Sequence, residues 1–322
     1  MFLLSVACYL PATLLLFAAF LLYDSATSAQ PEKKTVSRGN GTLVIEQAIE
    51  RFQTIKTITS TVRLKCHFFG EGYGGQGFYH EKRMPAVQES AATLPALSPN
   101  RFLLELKFQP DSLPSLENRS STLKVIANGS YLWKFTDIEN EILLERVNLA
   151  ELQEILTKTQ RGNGNINPLP LRGLGELTSL GGLEGTLIKM AKFYDFDSAS
   201  VESAHLDSEN RAVWKVSAKL KPDKLKAMIE SYGGEKSVAK HGGMHIPAAV
   251  SIYFGKENYF PYQISYYGGI KENPFHDSPN IELEYRNPSI NGADIATTFF
   301  DYRPPTIFYE DVTEIYANRL LE

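Results

Sequence analysis

Arg101-Phe102-Leu103-Leu104-Glu105-Leu106-Lys107-Phe108 puts a bulky apolar side chain on every second residue, with Arg101, Glu105 and Lys107 between them. That period of two is the mark of a strand with one buried face. Thr122-Leu123-Lys124-Val125-Ile126-Ala127 follows, then Asn128-Gly129, then Tyr131-Leu132-Trp133-Lys134-Phe135. Asn-Gly between two such runs predicts a hairpin through a type I′ turn, which needs positive φ at both central residues. A polar turn at residues 137–140 leads into Glu141-Ile142-Leu143-Leu144-Glu145-Arg146-Val147. Connections this short join antiparallel neighbours. The stretch therefore predicts a meander whose apolar face needs cover.

Working outward, Ile45, Ala48, Ile49, Phe52 and Ile55 recur at helical spacing within residues 43–58, with Thr42 as a candidate cap. Residues 59–69 return to period two, with Val62, Leu64, Cys66 and Phe68 on one face. Gly-Glu-Gly-Tyr-Gly-Gly-Gln-Gly (70–77) is similar to a phosphate loop in spacing, but it enters a strand at Phe78-Tyr79-His80 and no helix. It is expected to be a hairpin turn. Residues 84–99 read as an irregular loop, 149–157 as a short helix, and 159–185 as a Leu/Gly/Pro-rich insertion closed by a helix at 187–194. Strands are expected at 213–220, 248–255, 259–267, 280–286 and 296–302, with helices at 222–230 and 314–321. That makes about eleven strands without strand–helix alternation, so the sheet is antiparallel and residues 43–322 form one α+β domain.

The chain has 322 residues, 22 % charged and 43 % hydrophobic, with a formal net charge of −4. Its Lys and Arg are scattered, which speaks against a nucleic-acid partner. Residues 1–23 carry no charge and are rich in Leu, Ala and Phe, and small residues follow at 25–29. Residues 1–29 thus read as a signal peptide or an N-terminal membrane anchor, and 30–42 as a linker. The protein is expected to be exported, either free or anchored at the membrane. With Cys8 in the apolar leader, Cys66 is the one remaining cysteine. No disulfide framework is available, and stability must come from a core.

Few residues suggest chemistry. Cys66 alternates with apolar neighbours and reads as a buried strand residue, not a nucleophile. His241-Gly-Gly-Met-His245 has a metal-like spacing on a Gly-Gly pair that undermines the helix such ligands need. Asp195/Asp197 and Glu282/Glu284 are carboxylates two apart, which a solvated strand face explains as well as an acid–base pair. There is no Gly-x-Ser-x-Gly and no Cys-x-x-Cys. No metal, cofactor or enzymatic role is implied.

The order of an amphipathic helix, a strand, a glycine turn, Arg101-Phe102 and then Val125-Ile126-Ala127-Asn128-Gly129-Ser130-Tyr131-Leu132-Trp133-Lys134-Phe135 resembles the LolA-like superfamily of periplasmic lipoprotein carriers. The resemblance continues through Ile246-Pro247, Tyr259-Phe260-Pro261-Tyr262-Gln263-Ile264, Asn291, Phe300, Tyr302 and Pro304-Pro305, covering residues 43–305. The Leu/Gly/Pro-rich middle and the Asp311-Val312-Thr313 helix lie outside the carrier pattern, so the chain resembles a divergent member. The resemblance implies a curved, unclosed β-barrel with helices covering its concave face. It also implies a monomer that binds lipid or the acyl chains of a lipoprotein and meets a membrane-bound donor or acceptor protein. The alternative is an envelope sensor that binds a partner protein and carries no lipid. From alternation, the expected apolar lining is Leu64, Phe68, Phe102, Leu104, Leu106, Trp133, Phe135, Ile252 and Phe254. Leu169, Leu171, Leu174, Leu177, Leu180 and Leu183, amid glycines, are expected to form a lid over it.

Overall fold

The computed structural model describes residues 40–68, 71–83, 100–111, 120–138, 141–162, 182–206, 210–231, 234, 247–268, 275, 278–304 and 308–321. Helix α1 (Asn40–Gln53) buries Ile45, Ala48 and Phe52, the stripe its spacing predicts. It begins ahead of Thr42, whose hydroxyl donates to Asp197 at 2.7 Å and does not cap the helix. Six strands follow: β1 (Thr57–Phe68), β2 (Glu71–Arg83), β3 (Asn100–Pro110), β4 (Ser121–Ala127), β5 (Tyr131–Ile138) and β6 (Glu141–Asn148). Then come α2 (Leu149–Gly162), α3 (Leu183–Phe193), β7 (Tyr194–Leu206), β8 (Arg211–Leu220) and α4 (Pro222–Ser231). The chain closes with β9 (Pro247–Gly255), β10 (Pro261–Gly268), β11 (Ile281–Ile290), a 3-10 helix (Thr297–Phe300), β12 (Glu310–Asp311) and α5 (Thr313–Leu321).

All twelve strands form one sheet in the order β12-β6-β5-β4-β3-β2-β1-β11-β10-β9-β8-β7. Two antiparallel meanders, β1–β6 and β7–β11, are joined where β1 pairs with β11. The sheet is unclosed, with β12 and β7 at its ends. Only the two-residue β12 runs parallel, along β6. Tyr79 on β2 and Tyr285 on β11 flank β1, yet their ring centroids lie 5.8 Å apart. Two strand spacings would separate them by roughly 9–10 Å, so the side chains converge as on a concave surface. Helices sit on that face, and the start of α3 reaches β2 in the middle of the sheet. Helix α1 packs on α3, β7 and β8, while α2 and α5 pack on each other and on β6.

Several local expectations change. Residues 71–77 of the glycine-rich stretch are no turn but the first half of β2. A side chain at Gly75 would bring its Cβ to 2.6 Å from the Cβ of Phe108 and 2.7 Å from the Lys107 carbonyl oxygen, and at Gly77 it would overlap the backbone of Glu105. The glycines let β2 lie against β3 closely enough for the sheet to coil. The Asn128-Gly129 connection is not type I′, because only Gly129 has positive φ, at 94°. Instead the Asn128 side chain accepts from the amides of Ser130 (3.0 Å) and Tyr131 (2.8 Å), an Asx-type turn. Residues 296–302 are no strand; the 3-10 helix there buries Phe300 against the sheet. Strand β7 escaped the alternation reading because its outer half, a largely exposed edge, carries almost no apolar pattern.

Gly77→Ala is expected to cost roughly 3 kcal/mol of unfolding free energy, the scale of a forced overpacking. Gly129→Ala, which meets only a dihedral penalty, is expected to cost about 1 kcal/mol. Urea unfolding of the two variants checks this, and a smaller loss at Gly77 than at Gly129 overturns the close-approach account.

Candidate functional site: the helix-bearing face of the sheet

The register sorts the expected lining residues onto two faces. Phe102 opposes Ala127, which opposes Leu132; Leu103 opposes Ile126, which opposes Trp133. Leu64, Phe102, Leu106, Ile252 and Phe254 belong to one continuous apolar cluster with α1 and α3, and Leu104 is half-buried against it. Trp133 and Phe135 lie on the opposite face, packed with Leu103, Ile126, Leu144 and Phe300. Their expected place in the lining is therefore corrected. The physical reason is that both faces of β3–β6 are apolar, so alternation alone could not say which set turned inward. Phe68 ends β1, and its side chain lies outside the described residues, as do Leu169, Leu171, Leu174, Leu177 and Leu180. Leu183 is no loop residue: it opens α3 and is 2 % exposed in the core.

Burial along this face is uneven. Leu106 and Ile252 are sealed, at 2 % and 0 % exposure. Leu104 and Val125, cross-strand neighbours, stay half-buried although they pack on the same cluster. Their row continues across β5 to Lys134 and across β6 to Glu145. Lys134 Nζ lies 2.9 Å from a Glu145 carboxylate oxygen, an ion pair at the edge of the apolar cluster.

A second polar group fixes α3 to the sheet. The Tyr79 hydroxyl donates to the Glu81 carboxylate, and Asn100 Nδ2 donates to its other oxygen at 3.2 Å. The Leu183 amide, at the start of α3, donates to the Tyr79 oxygen at 2.9 Å and to Glu81 at 3.3 Å. Arg83 pairs with Glu184. A buried carboxylate at the N-terminus of a helix satisfies amides that have no partner within the helix. Burial dominates and holds the Glu81 carboxyl above its ordinary value, with Glu184 adding to the rise, while Tyr79, the Leu183 amide and Arg83 pull the other way. The Tyr79 phenol is pushed up chiefly by its own burial and so remains a donor. Sequence reading missed this group because Tyr79 and Glu81 bordered a presumed turn.

The other chemical candidates resolve into structure. Burial, helped by Asp111, pushes the Cys66 thiol up to about 12, which keeps it protonated and inert. Glu282 pairs with Lys65 at 3.2 Å and accepts from Gln263 at 2.9 Å; Glu284 pairs with Arg286 at 2.7 Å. Asp195 accepts from the Ser198 amide and hydroxyl. His241 and His245 lie outside the described residues. Among the described residues no group of three or more His, Cys, Asp or Glu could hold a metal, and no helix is long and apolar enough to cross a membrane.

A carboxyl whose pKa is raised on folding holds its proton more tightly in the folded chain. Glu81 therefore favours the folded state most at low pH, and this contribution is lost as pH rises from the ordinary value of 4.5 through the raised one. Relative to Glu81→Gln, the wild-type chain is expected to lose stability across that window. Denaturant midpoints of both proteins at a series of pH values check it, and a difference independent of pH contradicts the assignment.

No protein-family model matches the chain, and no curated relative was found. Among solved structures it is similar to a DUF1329 family protein from Desulfovibrio piger (10 % identity, 82 % of this chain and 98 % of that one, TM-score 0.31). It is also similar to the Pseudomonas aeruginosa MucA/MucB complex (6 % identity, 82 % and 62 %, TM-score 0.35). A third is the Mycobacterium tuberculosis lipoprotein LppX (8 % identity, 79 % and 97 %, TM-score 0.30). The unclosed, mainly antiparallel sheet with helices on one face is established by the strand order and packing described above.

Proposed function

We propose that the helix-bearing face binds a lipid or the acyl chains of a lipoprotein, in a protein exported to the envelope. The observation that carries this reading is the half-buried pair Leu104 and Val125, set beside the large apolar cluster of the helix-bearing face. An acyl chain laid over that pair gains roughly 0.8 kcal/mol per buried methylene. The sheet supplies a rigid floor, and α1, α3, α2 and α5 pack on the same face. Residues 1–29 would direct export or retain the chain at the membrane. A carrier role with a membrane-bound donor or acceptor follows if those residues are removed.

One observation favours the second reading, an interaction module that carries no lipid. Phe299, Phe308 and Tyr309 on or beside the opposite face are 46 %, 100 % and 42 % exposed. Tyr309 lies edge-on to Trp133 at 5.4 Å, so this aromatic surface is continuous with the packed patch on β5. Apolar area of this kind is where a protein partner docks.

Leu104→Asp and Val125→Asp are expected to weaken binding of Nile red at least about tenfold, since each places a charge where the chain would lie. Ile142→Asp, exposed on the other face, is expected to leave it unchanged. Equal effects at all three positions remove the pair from consideration. Native mass spectrometry of protein purified from membranes, with no lipid retained, favours the interaction module instead.

A further inference from the structure

The two ends of the sheet are unlike. At one, β12 is two residues long and is tied to β6 by the pair Arg146 and Asp311. At the other, β7 runs from Tyr194 to Leu206 and pairs on one side only, with β8. Its first half is protected. The register breaks between Asp195 and Ser200, and the start of α1 packs there: Thr42 bonds Asp197, and a Cβ on Gly41 would lie 2.7 Å from that of Ala199. From Ser200 to Leu206 the ladder is unbroken, with Ser200 opposite Ser217 and Leu206 opposite Arg211. In such a ladder alternate residues of an edge strand turn both N–H and C=O outward. Among the described residues no backbone hydrogen bond reaches 200–206 apart from those of the β8 ladder. This stretch has no proline, no lysine and no bulge, the common guards of an edge, and its Ser200, Glu202, Ser203 and His205 are exposed.

The charge of this edge is one-sided. Strand β7 carries Asp195, Asp197 and Glu202 and no Lys or Arg. Cations stand inward of it: Lys215 and Lys219 oppose Glu202 and Asp195 on β8, and Lys256 donates to Ser203 at 2.5 Å. A strand laid along the outer side therefore lies next to Glu202, with the cations behind it. A second copy paired through its own β7 brings no Lys or Arg to the join. We propose that residues 200–206 take up an extended, lysine- or arginine-bearing segment of a partner protein as an added strand of the sheet. Backbone hydrogen bonds along the edge supply the affinity, and a basic side chain opposite Glu202 supplies the choice. The edge is remote in strand order from Leu104 on β3 and Val125 on β4, so the proposal stands whatever the helix-bearing face binds.

The test uses the full-length protein and three synthetic peptides. One is Lys-Val-Lys-Thr-Lys-Val-Lys, and the second has glutamate in place of each lysine. The third is the lysine peptide N-methylated throughout, which keeps the charge and has no backbone donor. The lysine peptide is expected to bind about tenfold tighter than the glutamate peptide, the scale of exchanging an attractive cross-strand pair for a repulsive one. The N-methylated peptide is expected not to bind. At saturation with the lysine peptide, hydrogen exchange of the amides of 200–206 is expected to slow. Glu202→Lys is expected to abolish the preference for the lysine peptide, with Nile red binding as in the wild type. Should Glu202→Lys not fold, the comparison of peptides on the wild-type chain decides alone. Binding of the lysine peptide without protection of 200–206, or equal binding of its N-methylated form, reduces the effect to bulk charge and overturns the proposal. So does equal binding of the glutamate peptide, a preference that survives Glu202→Lys, or no binding at all. Protection of 200–206 that grows with protein concentration in the absence of peptide assigns the edge to a second copy and overturns the proposed partner.

Discussion

The close approach of β2 to β3 is the constraint on which the rest of the structure depends. Backbone can come this near to backbone only where no Cβ intervenes, and Gly75 and Gly77 supply those two places in the middle of a long strand. Glycine in a strand interior is unfavourable on its own account, because it loses more freedom and packs nothing. Here it removes an obstacle to coiling. Once the sheet coils, Tyr79 can meet Tyr285 across β1 and Phe102 on the other side. The two meanders then share one core with the helices.

Coiling also gives the two faces of the sheet unequal tasks. The helix-bearing face collects the large apolar side chains of nearly every strand. The other face divides: over β2–β6 it is aromatic and covered by the 3-10 helix and its neighbours, with Ile295, Phe300 and Tyr302 on Leu103, Ile126 and Trp133. Over β8–β11 and β1 it is polar, with Ser217 bonded to Ser251 at 2.7 Å and Gln263 bridging Ser265 and Glu282. At the β6 edge Arg146 stacks over Tyr309 at 4.3 Å and pairs with Asp311, tying the C-terminal segment to the sheet. The edge strand there, β12, is two residues long, which limits pairing with other chains.

Charge inside the apolar face is sparse and placed at joints. Glu81 stands where α3 meets β2, and its carboxylate substitutes for a missing turn of helix at the Leu183 amide. Lys134 and Glu145 pair across β5 and β6. Both sites put an ionisable group in a low dielectric, where its interactions are strong and its desolvation expensive. The first is used by the fold itself.

Much of the fold was legible in residue order. Alternation in Phe102, Leu104, Leu106 and Phe108, the Ile45/Ala48/Phe52 stripe and the short connections of β3–β6 determined strands, helix and antiparallel pairing, because these depend on neighbours in the chain. The partial cover of Leu104 and Val125, the bond from Leu183 to Glu81 and the inward turn of Lys134 were not legible. Each depends on residues far away in sequence. Tertiary structure alone decided that Trp133 and Phe135 face away from the helices, that 297–300 folds as a helix against them, and that 71–77 is strand. A period of two states that a strand has two sides; only the packing of the whole sheet, curved by its glycines, states which side is in.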